Sequence, residues 1–238
     1  MKFFSTSLDV ELKDFKNFIP DDDYFCTYGI LRGTEKAIKN AQNYIYIDNG
    51  YFNGSTRNFI KEKGTRLFDM TGYYRVVCND LVLNRSYKNY SPSRFNELNY
   101  ELKDLSNNGE YIILSEPSKF IIQFYNLNNW VEETTNALKK YTDRKIIVHD
   151  KFSKIPLTEL LKKAYAFVSY QSTAGYRAIM EGVPAYFTID SLKIHGNIMN
   201  IEKRELNHQL LYLTANSQWK LREFFSDEFK EFIDKIKN

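Results

Sequence analysis

The segment Gln171-Ser172-Thr173-Ala174-Gly175 has residue types suited to holding an anion. Small side chains let a backbone come close to a ligand, and Ser172 and Thr173 add hydroxyl donors. The run before it, Ala166-Phe167-Val168-Ser169-Tyr170, is nearly continuous in apolar character, as expected of a central parallel strand. The run after it reads as a helix ending at Gly182, and Val183-Pro184 leads into another buried strand. A turn passing from a strand end directly into a helix presents open N–H groups and the positive end of the helix dipole. Residues 145–190 therefore predict a strand–helix–strand unit with a phosphate-cradling turn. The competing reading is that Ser172 or Thr173 simply caps the helix.

Four further positions carry possible chemistry. His149-Asp150-Lys151 follows a strand and falls on the same sheet edge as the turn, so Lys151 could neutralise an anion; a solvated loop is the alternative, and for His149 the favoured one. Asp48 closes the strand 44–48, where a carboxylate could act as general base toward a hydroxyl; Asp48-Asn49-Gly50 is equally good turn chemistry. Arg75, at a similar place on a third strand, could bind a phosphate or carboxylate, or be an edge-strand surface charge. Arg177 falls in the first turn of the helix after the phosphate turn, and Glu181 reads onto another face of it. Asp21-Asp22-Asp23 would point alternately and reads as a solvated loop, and His149, His195 and His208 lack metal spacing, so no metal is expected. There is no Gly-x-Gly-x-x-Gly, no P-loop and no Gly-x-Ser-x-Gly, which weakens dehydrogenase, kinase and hydrolase readings.

The elements that must position these residues alternate along the 238-residue chain. Strands are predicted at 24–30, 44–48, 73–78, 110–114, 145–149, 165–170 and 184–188. Helices are predicted from Gly33-Thr34, from Ser91-Pro92-Ser93 to about Leu105, and over 129–141, 156–164 and 173–181. Residues 205–237 read as mostly helical, with apolar stripes over 205–213 and 219–225. Alternation of this kind implies parallel sheets with right-handed crossovers. The expected fold is α/β, two small Rossmann-like halves facing each other across a cleft. The expected domains are residues 1–107, the acceptor side; 108–204, the donor side; and the C-terminal helices 205–238. Asn107-Asn108-Gly109 marks the first boundary.

Composition is that of an ordinary globular protein, with 43% hydrophobic and 26% charged residues. The 18 Tyr and 18 Phe, beside abundant Lys, Asn and Ile, are a bias of the kind an AT-rich genome produces, so single aromatics carry no functional weight. A net charge of +3 permits a polyanionic partner without the footprint of a dedicated DNA-binding module. Cys26 and Cys78 read as reduced core thiols, with a disulfide as the alternative. No apolar run has the length of a signal peptide or a membrane span, so a cytoplasmic protein is expected.

Ser172-Thr173-Ala174-Gly175, six residues, then Gly182-Val183-Pro184 resembles the donor-binding turn of GT-B glycosyltransferases. More narrowly, the chain resembles uncharacterised GT-B-like proteins of bacteriophage genomes, through Asp48-Asn49-Gly50-Tyr51-Phe52, Tyr74-Arg75-Val76, Glu116-Pro117-Ser118, Thr142-Asp143-Arg144-Lys145, Lys151, Asn200-Ile201-Glu202 and Gln218-Trp219. The resemblance implies a GT-B-like fold whose C-terminal helical segment crosses back to the first half. It implies a metal-independent glycosyltransferase with a nucleotide-sugar as co-substrate and no cofactor. Lys151, Gln171, Ser172, Thr173, Ala174, Gly175 and Arg177 would bind the donor, Asp48 would be the base, and Arg75 would bind the acceptor. Many GT-B enzymes place a ribose-binding Glu where this chain has Arg177, which could instead face a phosphate. The phage likeness extends the acceptor to a hydroxymethylated pyrimidine in DNA, with Arg75, Lys88 and Arg94 compatible. Alternatives are a surface-glycan acceptor, a non-catalytic nucleotide or nucleotide-sugar-binding module, and a sugar-nucleotide epimerase.

Overall fold

The structure, a computed structural model, describes residues 3–4, 23–30, 34–54, 57–60, 65–68, 72–107 and 109–237. Gly33, Asp21, Asp22 and Asn108, all singled out above, lie outside them; Asp23 is exposed in a turn. The chain divides into two compact units, Met1–Leu98 with Tyr212–Asn238, and Asn99–Leu211.

In the first unit a five-stranded sheet has the order β1 (Phe3–Phe4), β2 (Phe25–Tyr28), β3 (Tyr44–Asn49), β6 (Tyr73–Cys78), β11 (Gln218–Lys220). Helix α1 (Thr34–Asn40) links β2 to β3, and those strands pair in parallel. Between β3 and β6 lies an antiparallel pair, β4 (Arg57–Ile60) with β5 (Thr65–Phe68). Among the described residues no crossover helix intervenes there; β6 pairs antiparallel to β3, and the expected parallel arrangement is confined to β1, β2 and β3. The C-terminal segment returns to this unit as expected, but not as helix alone. Gln218–Lys220, at the front of the predicted helix 219–225, forms β11 antiparallel to β6, placing Trp219 opposite Tyr74. Only Leu221–Phe225 coils afterwards, as a 3-10 turn.

A C-terminal helix, Asp227–Lys237, then covers the sheet. Its buried positions Phe229, Phe232, Ile233 and Ile236 follow the i, i+3, i+4, i+7 rule of one helix face. Asp227 and Glu228 at its start and Lys235 and Lys237 at its end suit the helix dipole. The face packs on Trp219, whose ring centre lies 5.2 Å from Phe229 and 5.1 Å from Phe232, above Cys26, Ile45, Ile47 and Val76. Cys26 and Cys78 are buried free thiols, each opposite Ile45 on the strand between them. Burial pushes the Cys26 thiol up to about 12 and the Cys78 thiol up to about 11.

The second unit holds a four-stranded, wholly parallel sheet of order β10 (Ala185–Phe187), β9 (Ala164–Ser169), β7 (Tyr111–Ser115), β8 (Lys145–His149). Every residue of β9 is buried, in keeping with its continuous apolar run. Helices α3 (Lys119–Tyr125) and α4 (Trp130–Leu138) join β7 to β8, α5 (Leu157–Leu161) joins β8 to β9, and α6 (Ala174–Met180) joins β9 to β10. Chain order reverses direction across the sheet between β7 and β9.

Three predicted helices are shorter than their patterns. The one from Ser93 stops at Asn96, as helix α2, because Asn99 takes a left-handed φ of 55°. The chain beyond it extends along the end of α6, with the N–H groups of Lys103 and Ser106 donating to the carbonyls of Met180 and Gly182. Helix α5 stops at Leu161 because Ala164 already belongs to β9. Helix α4 ends at Leu138, short of Tyr141. Conversely, α3 forms over Lys-Phe-Ile-Ile-Gln-Phe-Tyr, a β-prone run opened by Pro117-Ser118.

Candidate functional site

Segment 171–175 leaves the carboxyl end of β9 and enters α6. That end borders β7 at the point where strand order reverses, which is where open α/β sheets place ligands. Four of the N–H groups read as open in the sequence are engaged within the turn. Ser172 donates to Ser169 Oγ at 3.2 Å and Ala174 to Ser172 Oγ at 3.2 Å. Gly175 donates to the Ser172 carbonyl at 3.0 Å and Tyr176 to the Thr173 carbonyl at 3.1 Å. A tight turn closes its own amides this way, so Ser172 does serve as a helix-start acceptor. The Thr173 N–H meets no acceptor among the described residues, Thr173 is exposed, and Gln171 Oε1 is buried without a partner there.

Gly175 answers to packing. A Cβ at this position would come within 2.6 Å of the Phe187 ring on β10, so glycine lets the helix close on the sheet. Gly182 ends the segment with φ 79°, the left-handed conformation glycine tolerates, and a Cβ there would strike the Asp104 carbonyl. Arg177 pairs with Glu181 at 2.6 Å, and Lys103 reaches the same carboxylate at 2.5 Å. Spacing of i, i+4 puts Arg177 and Glu181 on one helix face, correcting the expectation of different faces. The hydrogen bond from Lys103, with Arg177 beside it, holds the Glu181 carboxyl below its usual range.

Residues 149–155 lie at the carboxyl end of β8. Asp150 Oδ1 accepts from the Phe152 N–H and the Ser153 hydroxyl, shaping a tight loop. His149 Nε2 lies 3.2 Å from the Ile155 carbonyl, which ties it into the same loop. Lys151 is exposed and makes no hydrogen bond or ion pair among the described residues. Beside the turn stands an aromatic layer absent from the sequence reading. The Tyr170 ring lies 5.1 Å from Tyr125 on α3 and 6.4 Å from Trp130, whose indole N–H donates to Thr188 at the end of β10. The position of α3 immediately after β7 was the signal that could have found it.

Two polar networks gather most of the dispersed motifs. In the first unit, Asp48 at the carboxyl end of β3 lies opposite Arg75, and Arg75 lies opposite Gln218. Asp48 accepts from Arg75 at 2.9 Å, from the Tyr46 hydroxyl at 2.5 Å and from the Asn49 N–H at 2.8 Å. The Arg75 side chain is 13% exposed and its guanidinium lies over the rings of Tyr46 and Tyr51. Burial works against its charge, but Tyr46, Asp48 and Tyr51 outweigh it and hold the proton more tightly than usual. Burial and the adjacent Asp48 raise the Tyr46 hydroxyl well above its ordinary value. Gln218 Oε1 accepts from the Phe52 N–H at 3.0 Å, and the tight approach at Gly50 excludes any side chain there.

In the second unit, Glu202 accepts from Thr142 at 2.5 Å and from Tyr165 at 2.6 Å, with Arg144 at 3.5 Å. The Tyr165 ring lies between the guanidiniums of Arg144, 3.4 Å from its centre, and Arg204, 4.4 Å away. Thr142 and Arg144 precede β8, and Tyr165 is near the start of β9, so this network sits at the amino end of the sheet, opposite the turn. Among the described residues no three His, Cys, Asp or Glu could hold a metal ion, and no helix is long and apolar enough to cross a membrane.

No family model matches the chain, and no curated protein matches it. Solved structures do match, among them Thermosulfurimonas dismutans KpsC, beta Kdo 2,7 transferase, with a TM-score of 0.41 and 12% identity, covering 97% of this chain and 89% of that one. At that TM-score the likeness carries no functional argument.

Proposed function

We propose that the chain is a glycosyltransferase of GT-B type that moves a sugar from a nucleotide-sugar to a hydroxyl acceptor. The observation that carries the reading is the position of the turn 171–175, at the carboxyl end of a buried parallel strand where strand order reverses. In this reading the Thr173 N–H, the Ser172 and Thr173 hydroxyls and the Gln171 amide meet the donor diphosphate, with Ala174 and Gly175 forming the close-packed floor. Lys151, uncommitted and exposed, supplies the charge that a leaving diphosphate needs when no metal does so. Arg177 would reach a phosphate only by leaving Glu181, which ranks it below Lys151.

Asp48 is the proposed base and Arg75 the proposed acceptor anchor. The acceptor we would try first is a hydroxymethylated pyrimidine in DNA, then a surface glycan. Thermal-shift measurement against UDP-, GDP- and CMP-sugars tests the donor half. One nucleotide-sugar should raise the melting temperature, Ser172→Trp should abolish the rise, and Lys151→Ala should weaken binding about tenfold, the worth of one charge-assisted contact. If no nucleotide-sugar shifts the transition, the donor reading is wrong.

A second reading has a specific observation in its favour. The Asp48 carboxylate is already engaged inside its own unit, accepting from the Tyr46 hydroxyl, the Asn49 N–H and the Arg75 guanidinium. A module that binds the nucleotide-sugar without turnover accounts for that. Donor hydrolysis and transfer assays on the bound nucleotide-sugar separate the two: turnover lost in Asp48→Asn supports the enzyme, and binding without any turnover supports the module.

A further inference from the structure

A cavity of 380 Å³ opens on the second unit beside edge strand β10, lined by Tyr186 and by residues between Lys193 and Gln209, and by none of residues 169–175. Its wall is held firmly. The Phe187 N–H donates to the Gly196 carbonyl at 3.1 Å, and a Cβ on Gly196 would come within 2.7 Å of the Ala185 carbonyl. Asn207 is committed to that wall, donating to the His195 carbonyl at 2.7 Å and accepting from the Leu210 N–H at 3.2 Å.

Other lining groups are not committed. The side chains of Asn200, Glu205 and Gln209 are exposed and make no hydrogen bond or ion pair among the described residues. His208 Nε2 is buried with no hydrogen-bond partner there. A carboxylate accepts, amides do both, and an imidazole does either. Such a mixture selects against several ligand classes. An anion would face the Glu205 carboxylate, while Lys193 is already paired with Asp190 at 2.8 Å. A metal ion lacks a third ligand among the described residues. A wholly apolar ligand would strip water from these polar groups without replacing it. A ligand with many hydroxyls and one apolar ring face matches the lining, since the exposed Ile194 and the half-buried Leu206 supply apolar surface to the same cavity.

We propose that this cavity is a binding site for a neutral sugar, a pyranose whose hydroxyls meet Asn200, Glu205 and Gln209 and whose ring face lies against Ile194 and Leu206. The volume suits a small polar ligand. The proposal stands apart from the donor turn and holds whether or not that turn binds a nucleotide-sugar.

Saturation-transfer NMR on the full chain tests it, with the methyl glycosides of glucose, galactose and mannose and with N-acetylglucosamine as probes. At least one probe should bind saturably. Asn200→Ala and Glu205→Gln, both at exposed positions, should each weaken that binding about tenfold, the worth of a hydrogen bond to a charged or well-placed polar group. Ser172→Trp should leave it unchanged, so a failed donor site and a failed sugar site are told apart. The proposal is overturned if no probe binds saturably, if binding survives both cavity variants, or if glycerol displaces the sugar as well as a second sugar does.

Discussion

The Asp48 and Glu202 networks are built from the same parts and serve opposite ends of their sheets. Each has a carboxylate that accepts from a tyrosine hydroxyl and pairs with an arginine lying over an aromatic ring. The Asp48 network stands at the carboxyl end of β3, with an arginine side chain 13% exposed. The Glu202 network stands at the amino ends of β8 and β9, with side chains 36% and 47% exposed in its ion pair. Ligands of open α/β sheets bind at carboxyl ends, so position, and not residue type, separates a candidate site from a brace. Thr142, Arg144 and Glu202, from the motifs Thr142-Asp143-Arg144 and Asn200-Ile201-Glu202, belong to the brace, although their residue types are those of an active site.

That contrast can be broken by measurement. Asp48→Ala leaves the Arg75 guanidinium buried without its carboxylate, so a loss of about 3–5 kcal/mol in unfolding free energy is expected from urea denaturation. A loss under 1 kcal/mol would show that the first network is as solvent-screened as the second. Gly175→Ala drives a methyl into the Phe187 ring, and about 1–3 kcal/mol should be lost. If that variant keeps full stability, the glycine serves ligand approach after all.

Glu202→Gln should cost less than ~1 kcal/mol at neutral pH, as for an exposed ion pair. Its pH dependence is the sharper readout. Burial opposes the Glu202 charge, but the hydrogen bonds from Thr142 and Tyr165 and the nearby Arg144 outweigh it and lower the folded-state value below 4.5. A lowered carboxyl contributes stability present above pH 4.5 and lost as pH falls below it. The wild-type melting temperature should therefore fall more steeply than that of Glu202→Gln as pH drops through this window. Parallel curves would remove Glu202 from the brace. Lys151→Ala, at an exposed position without a partner, should change stability by no more than ~0.5 kcal/mol. A larger change would mean that Lys151 belongs to a structural network.

The second unit was the more legible half. Lys145–His149 forms the strand its residues predict, and 165–170, 173–181 and 184–188 shift by only a residue or two at their ends. Each is a short apolar run bounded by turn residues, and such local signals survive folding. In the first unit, Trp219 and its neighbours carry an apolar pattern that fits helix or strand, and pairing with β6 decided for strand. Helix α2 ended early because one residue, Asn99, took a left-handed φ, which no periodicity reports.

From the sequence alone came the alternation of strand and helix, the burial of β9, the turn at its end, and Asp48 and Arg75 at comparable places on their strands. Tertiary structure alone decided that Asp48 and Arg75, 27 residues apart, are one ion pair, and that Thr142 and Glu202, 60 apart, share a hydrogen bond. It also decided that four amides of the turn bond within it and that Gly175 makes room for Phe187. The reason is physical. Apolar periodicity is a property of neighbouring residues, whereas strand register and cross-strand partners depend on loop closure over tens of residues.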